Sequence, residues 1–278
     1  MISVIKIGRC DIKLHELIVG IKGAGEMASA VAWRLYQARI RHIFMLEVAK
    51  PMAVRRKVSF CEAVHDDRHV VEDVEAVLAA DVHQVASIWQ GGQIAVLADP
   101  QWHAIEQFKP HVLIDAILAK KNLGTRLSDA ALVIGLGPGF TAGTDAHLVI
   151  ETNRGHDLGR IITDGFAEPD TGIPGSIGGY AKERVLRAPT KGIFTAQRSI
   201  GDLVEAGEAV GEVDGQSVTC QIGGILRGLV RSDHAVSKGY KLGDIDPRGN
   251  VSYCHTISDK ARAISGSVLE TIMRRYNI

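Results

Sequence analysis

Leu17-Ile18-Val19-Gly20-Ile21-Lys22-Gly23-Ala24-Gly25-Glu26-Met27-Ala28 decides how the rest of the chain is read. An apolar run ends in a glycine-rich turn that leads into a helical pattern, with the spacing Gly-x-Gly-x-x-Ala. In a dinucleotide-binding unit each small residue has a mechanical task. Gly23 permits the tight turn, Gly25 lets the backbone approach a pyrophosphate, and Ala28 lets the helix lie close to its strand. The helix that opens at Glu26 and Met27 then offers free N–H groups and a partial positive charge to an anion. Glu47 closes the next apolar run, 22 residues after Gly25, where a carboxylate can accept hydrogen bonds from an adenosine ribose.

Working outward, Met27, Ala30, Val31, Leu35 and Ala38 recur at helical spacing and predict a helix over 26–38. Strands are expected at His42–Leu46, Val74–Leu78, Ile94–Ala98, Val112–Ile114 (with Asp115 at its end), Ala131–Ile134 and Leu148–Ile150, and a first short one at Val4–Ile7. Helices are expected from Asp81, as N-cap, through Trp89 and from Trp102 to Phe108. Alternation of strand and helix implies parallel crossovers. The fold class is therefore α/β, with a Rossmann-like, mostly parallel sheet domain over 1–185.

Around Arg187 the pattern changes to short strands with recurring glycines. Gly192-Ile193-Phe194 with Gly201–Glu208, and Gly224–Leu229 with Val236–Ile245, make two similar halves. This resembles the biotinyl/lipoyl-type barrel-sandwich hybrid, a small all-β domain, and is assigned to 186–250. Carrier domains of that type present a modified lysine at a hairpin tip; Asp214-Gly215-Gln216 has none, so a carrier role is rejected. A C-terminal helix over 251–278 is capped by Ser258 and carries the stripe Ala261, Ile264, Val268, Ile272, packing back on the core. Gly266 within it implies a close packing contact.

The 278 residues carry 32 Lys plus Arg against 32 Asp plus Glu, which gives no basic excess for nucleic acid. No apolar run reaches the roughly 20 residues of a membrane span, and no signal peptide is apparent, so a cytoplasmic protein is expected. Cys10, Cys61, Cys220 and Cys254 form no Cys-x-x-Cys pair. Cys61, His65 and His69 would share a face only on a continuous helix, which Asp66-Asp67 argues against; no metal is assigned. Self-association stays open.

Two further groups suggest ligand chemistry. Arg55 and Arg56, in Val54-Arg55-Arg56-Lys57-Val58-Ser59-Phe60, are either a solvated charge run or an anion-binding patch near the crevice. Gly135, Gly137 and Gly139 form a second glycine-rich loop after a strand, able to cradle an anion through backbone N–H groups, or simply a tight turn. Asp115, His147, Asn153, Arg154 and His156 are further ligand-site candidates. No catalytic residue is assigned.

Ile21–Ser29, Val54–Phe60, Ile134–Phe140 and Glu151-Thr152-Asn153-Arg154-Gly155-His156 together resemble the YqeB-type accessory proteins of selenium-dependent molybdenum hydroxylases, a family more distantly similar to the xanthine dehydrogenase accessory factors. The resemblance implies a role in maturing a molybdenum hydroxylase, with that enzyme as partner and a molybdopterin-type cofactor or NAD(P) as ligand. Glu26 stands where Asp is expected after Gly-Ala-Gly. The alternatives are an NAD(P)-dependent oxidoreductase, with His147 or His156 as proton donor, and a non-catalytic docking scaffold.

Overall fold

In a computed structural model the described residues are 12–277; the strand expected at Val4–Ile7 and Cys10 lie outside them. The quoted stretch forms strand β1 (Ile18–Lys22), a turn, and helix α1 (Glu26–Gln37). There follow β2 (His42–Glu47), α2 (Ala63–Asp66), β3 (Arg68–Val71), β4 (Val74–Ala79), α3 (Val85–Gln90), β5 (Ile94–Ala98), α4 (His103–Phe108), β6 (Val112–Asp115) and β7 (Leu132–Leu136). Next come β8 (Thr141–Ala142), β9 (Leu148–Ile150), β10 (Ile161–Ile162) and β11 (Gly165–Phe166). The large sheet has nine strands in the order β10-β9-β7-β6-β1-β2-β5-β4-β3, parallel except where β3 and β10 join its two edges. β8 and β11 pair separately.

Both faces of this sheet are covered, so side chains that alternate along a strand are buried on opposite sides. Val19, Ile21, Ile43, Met45, Ile114 and Ile134 pack with Ala28, Val31 and Leu35 of α1. Phe44, Leu46, Leu113 and Val133 pack on the other face with Val85 and Ile88 of α3 and Ala104 and Ile105 of α4. From β1 the chain goes to β2 on one side; from β5 it crosses to β6 on the other. The strand order thus reverses between β1 and β6, and the loops after these strands part, leaving a crevice at their C-terminal ends.

The remaining strands are β12 (Val185–Arg187), β13 (Gly192–Ala196), β14 (Leu203–Val204), β15 (Ala209–Val213), β16 (Gln216–Thr219), β17 (Gly224–Leu229), β18 (His234–Val236) and β19 (Lys241–Asp246). They make two antiparallel four-stranded sheets, β12-β19-β17-β14 and β16-β15-β13-β18. The pairing crosses between the two sequence halves. β14 leaves its own half to edge β17, and β18 leaves its own half to edge β13. Phe194, Val210, Val213, Leu226, Leu229, Leu242 and Ile245 fill the space between. Asp214 and Gly215, both at positive φ, turn β15 into β16.

Helix α5 (Asp259–Tyr276) returns to the large sheet, where Ala261, Ile264, Val268, Ile272 and Tyr276 join the core beside α1. Arg34 of α1 ties the pair by donating to Ser265 Oγ and the Arg262 carbonyl. Ser258 caps α5 by accepting from the Ala261 N–H. The close contact expected at Gly266 is absent: a Cβ there meets nothing within 4 Å. Among the described residues no helix is long and apolar enough to cross a membrane.

Candidate functional site

A cavity of about 910 Å³ opens at the reversal point between β1 and β6. Its sheet side is made by Gly23, Gly25, Glu26, Met27 and Glu47, with Ala116 and Ile117 after β6. Its far side is made by Arg184, Arg227, Lys241 and Asp244 of the small sheets and by Ser258 and Lys260 at the start of α5. The segment 168–175 also lines it.

The turn is tied to the end of β2 by two hydrogen bonds. Gly23, at φ +90°, donates its N–H to the Leu46 carbonyl. Glu47 accepts the Ala24 N–H on Oε1 and the Val48 N–H on Oε2, so the carboxylate at the end of β2 is anchored back onto the turn. A Cβ added at Gly25 meets nothing within 4 Å. Gly25 is the N-cap of the twelve-residue α1, so this open space lies at the positive end of the helix dipole. Glu26 shares this helix end, and its Oε1 accepts from Ser258 Oγ at 2.8 Å and from Arg55 at 3.3 Å.

Beneath the floor lies a buried relay. Lys22 Nζ donates to Thr125 Oγ1 (2.8 Å), and Thr125 Oγ1 donates to Asp115 Oδ2 (2.7 Å). Lys22 and Asp115 are each 2% exposed. Burial lowers the Lys22 pKa and raises that of Asp115. The relay ties the last residue of β1 to the last residue of β6, fixing the two strand ends between which the cavity opens. Asp115 itself does not line the cavity.

The other residues singled out in the sequence divide. Asn153 and Arg154 line the cavity; Arg154 makes a two-pronged pair with Asp259 at 3.0 and 2.9 Å. Arg55 lines it too, but its guanidinium is committed to Glu26 and to the carbonyls of Tyr253 and Thr256. Arg56 is not at the cavity: it donates to the Leu229 carbonyl and faces Glu62. The charge run is thus divided: Arg55 reaches the cavity already paired, Arg56 turns away from it and Lys57 is exposed. With Arg231, which binds Glu62 and Asp66, Arg56 forms a seam between the segment before α2 and the end of β17.

Gly135, Gly137 and Gly139 are packing glycines, and of their loop Pro138 alone reaches the cavity. A Cβ at these three positions would come within 2.6 Å of the Phe140 ring, 2.5 Å of Thr152 Oγ1 and 2.6 Å of the Lys121 backbone nitrogen respectively. His147 accepts the Val133 N–H and His156 is exposed; neither lines the cavity. Cys61, His65 and His69 fall in a 3-10 turn, in α2 and in β3, so they share no helix face.

The sequence reading missed the far wall. Arg184 and Arg227 converge on the buried Asp244, Arg227 also reaches Asp246, and Arg248 binds Asp246. The side-chain ammoniums of Lys241 and Lys260 line the cavity without a hydrogen bond or ion pair among the described residues. Lys260 carried a legible signal: it is a cation in the first turn of a helix, at the unfavourable end of the dipole.

These features define a mixed α/β protein with a large, mostly parallel sheet, added antiparallel sheets and a cation-walled cavity at the point of strand reversal. Over 259 residues the chain is 47% identical to the protein described as uncharacterized protein YqeB of Escherichia coli (strain K12), an alignment that covers 93% of this chain and 48% of that one. The chain is therefore a homologue of YqeB along nearly its whole length, and it spans about half the length of that relative. No family model matches. Among solved structures, an aspartoacylase family protein from Mesorhizobium loti aligns at 13% identity with a TM-score of 0.25, covering 76% of this chain and 58% of that one. A succinylglutamatedesuccinylase/aspartoacylase from Rhodobacter sphaeroides aligns at 12% identity and 0.23, covering 73% and 57%. Likeness at that level carries no argument about fold or chemistry.

Proposed function

We propose that the cavity binds a phosphorylated cofactor of the nucleotide or molybdopterin class, and that the protein acts as an accessory factor for a selenium-dependent molybdenum hydroxylase, its partner enzyme. On this reading residues 1–185 are a Rossmann-like cofactor domain, 186–250 a barrel-sandwich hybrid domain used for packing or docking, and 251–278 a helix closing the unit. The supporting observation is the open space at Gly25. It lies at the N-terminus of α1, where the strand order reverses, with Glu47 held beside it. That is the place and chemistry expected for a pyrophosphate-bearing ligand in an open α/β sheet.

A redox role would need a proton donor at the nicotinamide position. The two histidines offered by the sequence lie elsewhere, which favours cofactor handling over hydride transfer. Calorimetric titration with NAD, NADP and isolated molybdopterin tests the proposal. Saturable binding of one of them is expected, and Gly25→Asp, whose carboxylate would enter the open space, should abolish it. Absence of binding by all three, or unchanged binding by Gly25→Asp, refutes it.

A further inference from the structure

Lys241 opens β19 and Lys260 lies in the first turn of α5. They are distant in sequence and in fold, yet both line the same cavity. Neither ammonium has a carboxylate or carbonyl partner among the described residues. Their surroundings make this unusual. Every neighbouring arginine is compensated: Arg154 by Asp259, Arg55 by Glu26, and Arg184 and Arg227 by Asp244.

The unpaired charges also oppose one another. Burial lowers the Lys260 pKa first, and Arg154 and Lys241 lower it further. For Lys241 burial again comes first, with Arg184 adding to it against the pull of Asp244. Lys241 is nevertheless accessible to solvent. The two facts agree if its solvent is the water of the cavity and protein surrounds it on the other sides. The lining carries both signs, but its arginines are matched by carboxylates and these two ammoniums are not; an incoming anion therefore meets two cations that have no protein ion pair to break.

We propose that Lys241 and Lys260 form a second anion subsite, which takes a phosphate-type oxyanion. The ligand of the cavity then carries two anionic groups. One lies on the turn at Gly25 and the other between the two lysines. Because Lys241 belongs to the small sheets and Gly25 to the large one, such a ligand ties the two parts together. This assignment of ligand class rests on the reading of the crevice as a cofactor site, but the lysine subsite can be tested apart from it.

Inorganic pyrophosphate is the probe, titrated calorimetrically into the full chain as wild type, Lys241→Gln, Lys260→Gln, the double Gln variant, the double Arg variant and Gly25→Asp. Wild type should bind with saturation. Each Gln substitution removes one charge-assisted contact and should weaken binding about tenfold; the double Arg variant keeps the charge and should bind within a few-fold of wild type. Gly25→Asp should still bind pyrophosphate at the lysines. Wild-type affinity should also fall as pH rises through the lowered lysine pKa values, a readout that needs no variant.

No saturable binding by wild type overturns the subsite, as does binding by the double Gln variant within twofold of wild type. Loss in Gly25→Asp with retention in the double Gln variant places the anion on the turn, overturning the subsite while supporting the cofactor reading. Lysine-dependent pyrophosphate binding without any binding of NAD, NADP or molybdopterin has the opposite meaning: the subsite stands and the cofactor reading falls.

Discussion

Removing the carboxylate of Asp115 strands a buried ammonium. In the native chain Lys22 reaches Asp115 only through the Thr125 hydroxyl, so the two charges are about 5.5 Å apart at most, the two hydrogen bonds laid end to end. At an effective dielectric constant near 20 their attraction is about 3 kcal/mol. Asp129 lies 3.8 Å from Lys22 and is partly solvated, and Thr125 still accepts from the ammonium, so Asp115→Asn should cost about 2 kcal/mol rather than the whole of that. The reverse deletion should be milder. In Lys22→Met, Asp115 keeps the Thr125 hydroxyl and the Ile117 N–H, and burial already raises its pKa, so it can take up a proton. A cost of about 1 kcal/mol is expected, and the deficit against wild type should shrink as pH falls through the raised Asp115 pKa, since a neutral Asp115 has no need of the ammonium. In the double variant neither charge is stranded, and its stability should come back to within about 1 kcal/mol of wild type. Guanidinium unfolding at fixed pH measures all four proteins, and a Tm shift of about 2–4 °C per kcal/mol gives a second reading. Additive single costs in the double variant, or an Asp115→Asn cheaper than Lys22→Met, would refute the relay as the tie between β1 and β6.

Gly266→Ala should stabilise the protein by about 0.5–1 kcal/mol, because α5 is regular there, a Cβ meets nothing within 4 Å, and the alanine narrows the unfolded ensemble; an unchanged or lower Tm would show that some contact of this glycine is needed. For Lys241 the sign runs the other way from a paired lysine: its pKa is lowered on folding, so carrying the proton costs stability below that value, and the cost fades as pH climbs from there towards 10.5. Lys241→Gln should therefore be the more stable protein at neutral pH, by a margin that closes across that alkaline window, and a margin independent of pH in thermal unfolding would contradict the unpaired-charge reading.

What the sequence could disclose was local. Ile94–Ala98 and Leu148–Ile150 stand where apolar runs between turn residues put them, α1 ends one residue short of the expected Ala38, and Asp81 caps its helix through the His83 and Gln84 N–H groups. The first turn of that helix is 3-10 rather than α, a distinction periodicity does not carry. β3 escaped notice because Arg68-His69-Val70-Val71 is an edge strand whose side chains are mostly solvated, leaving no apolar pattern to read. The glycines at 135, 137 and 139 gave a correct signal with two meanings. Glycine is required wherever backbone must approach closely, and the groups that approach here are Phe140, Thr152 and Lys121. The far wall of the cavity was beyond reach for another reason. Arg184, Arg227, Lys241 and Lys260 acquire a common neighbourhood only when the small sheets and α5 pack against the large sheet, and no short-range pattern encodes that meeting.

Glu26 shows how that meeting is organised. In the sequence it is a departure, a Glu where Asp is expected after Gly-Ala-Gly. In the fold its Oε1 is the common acceptor for Ser258, the cap of α5, and for Arg55, whose guanidinium also holds the carbonyls of Tyr253 and Thr256. One carboxylate at the start of α1 therefore fixes the start of α5 and the segment leading into it, and it carries Lys260 to the cavity rim. The longer side chain is what spans these groups; aspartate is one methylene shorter. A carboxylate beside Gly25 would ordinarily repel an incoming anion from the positive end of α1. Arg55 opposes that repulsion by pairing with Glu26, and Lys241 and Lys260 add cations on the far side of the same cavity. On the proposed reading of the cavity as an anion site, the residue that looks least suited to it in the sequence is thus the one that assembles its cationic wall.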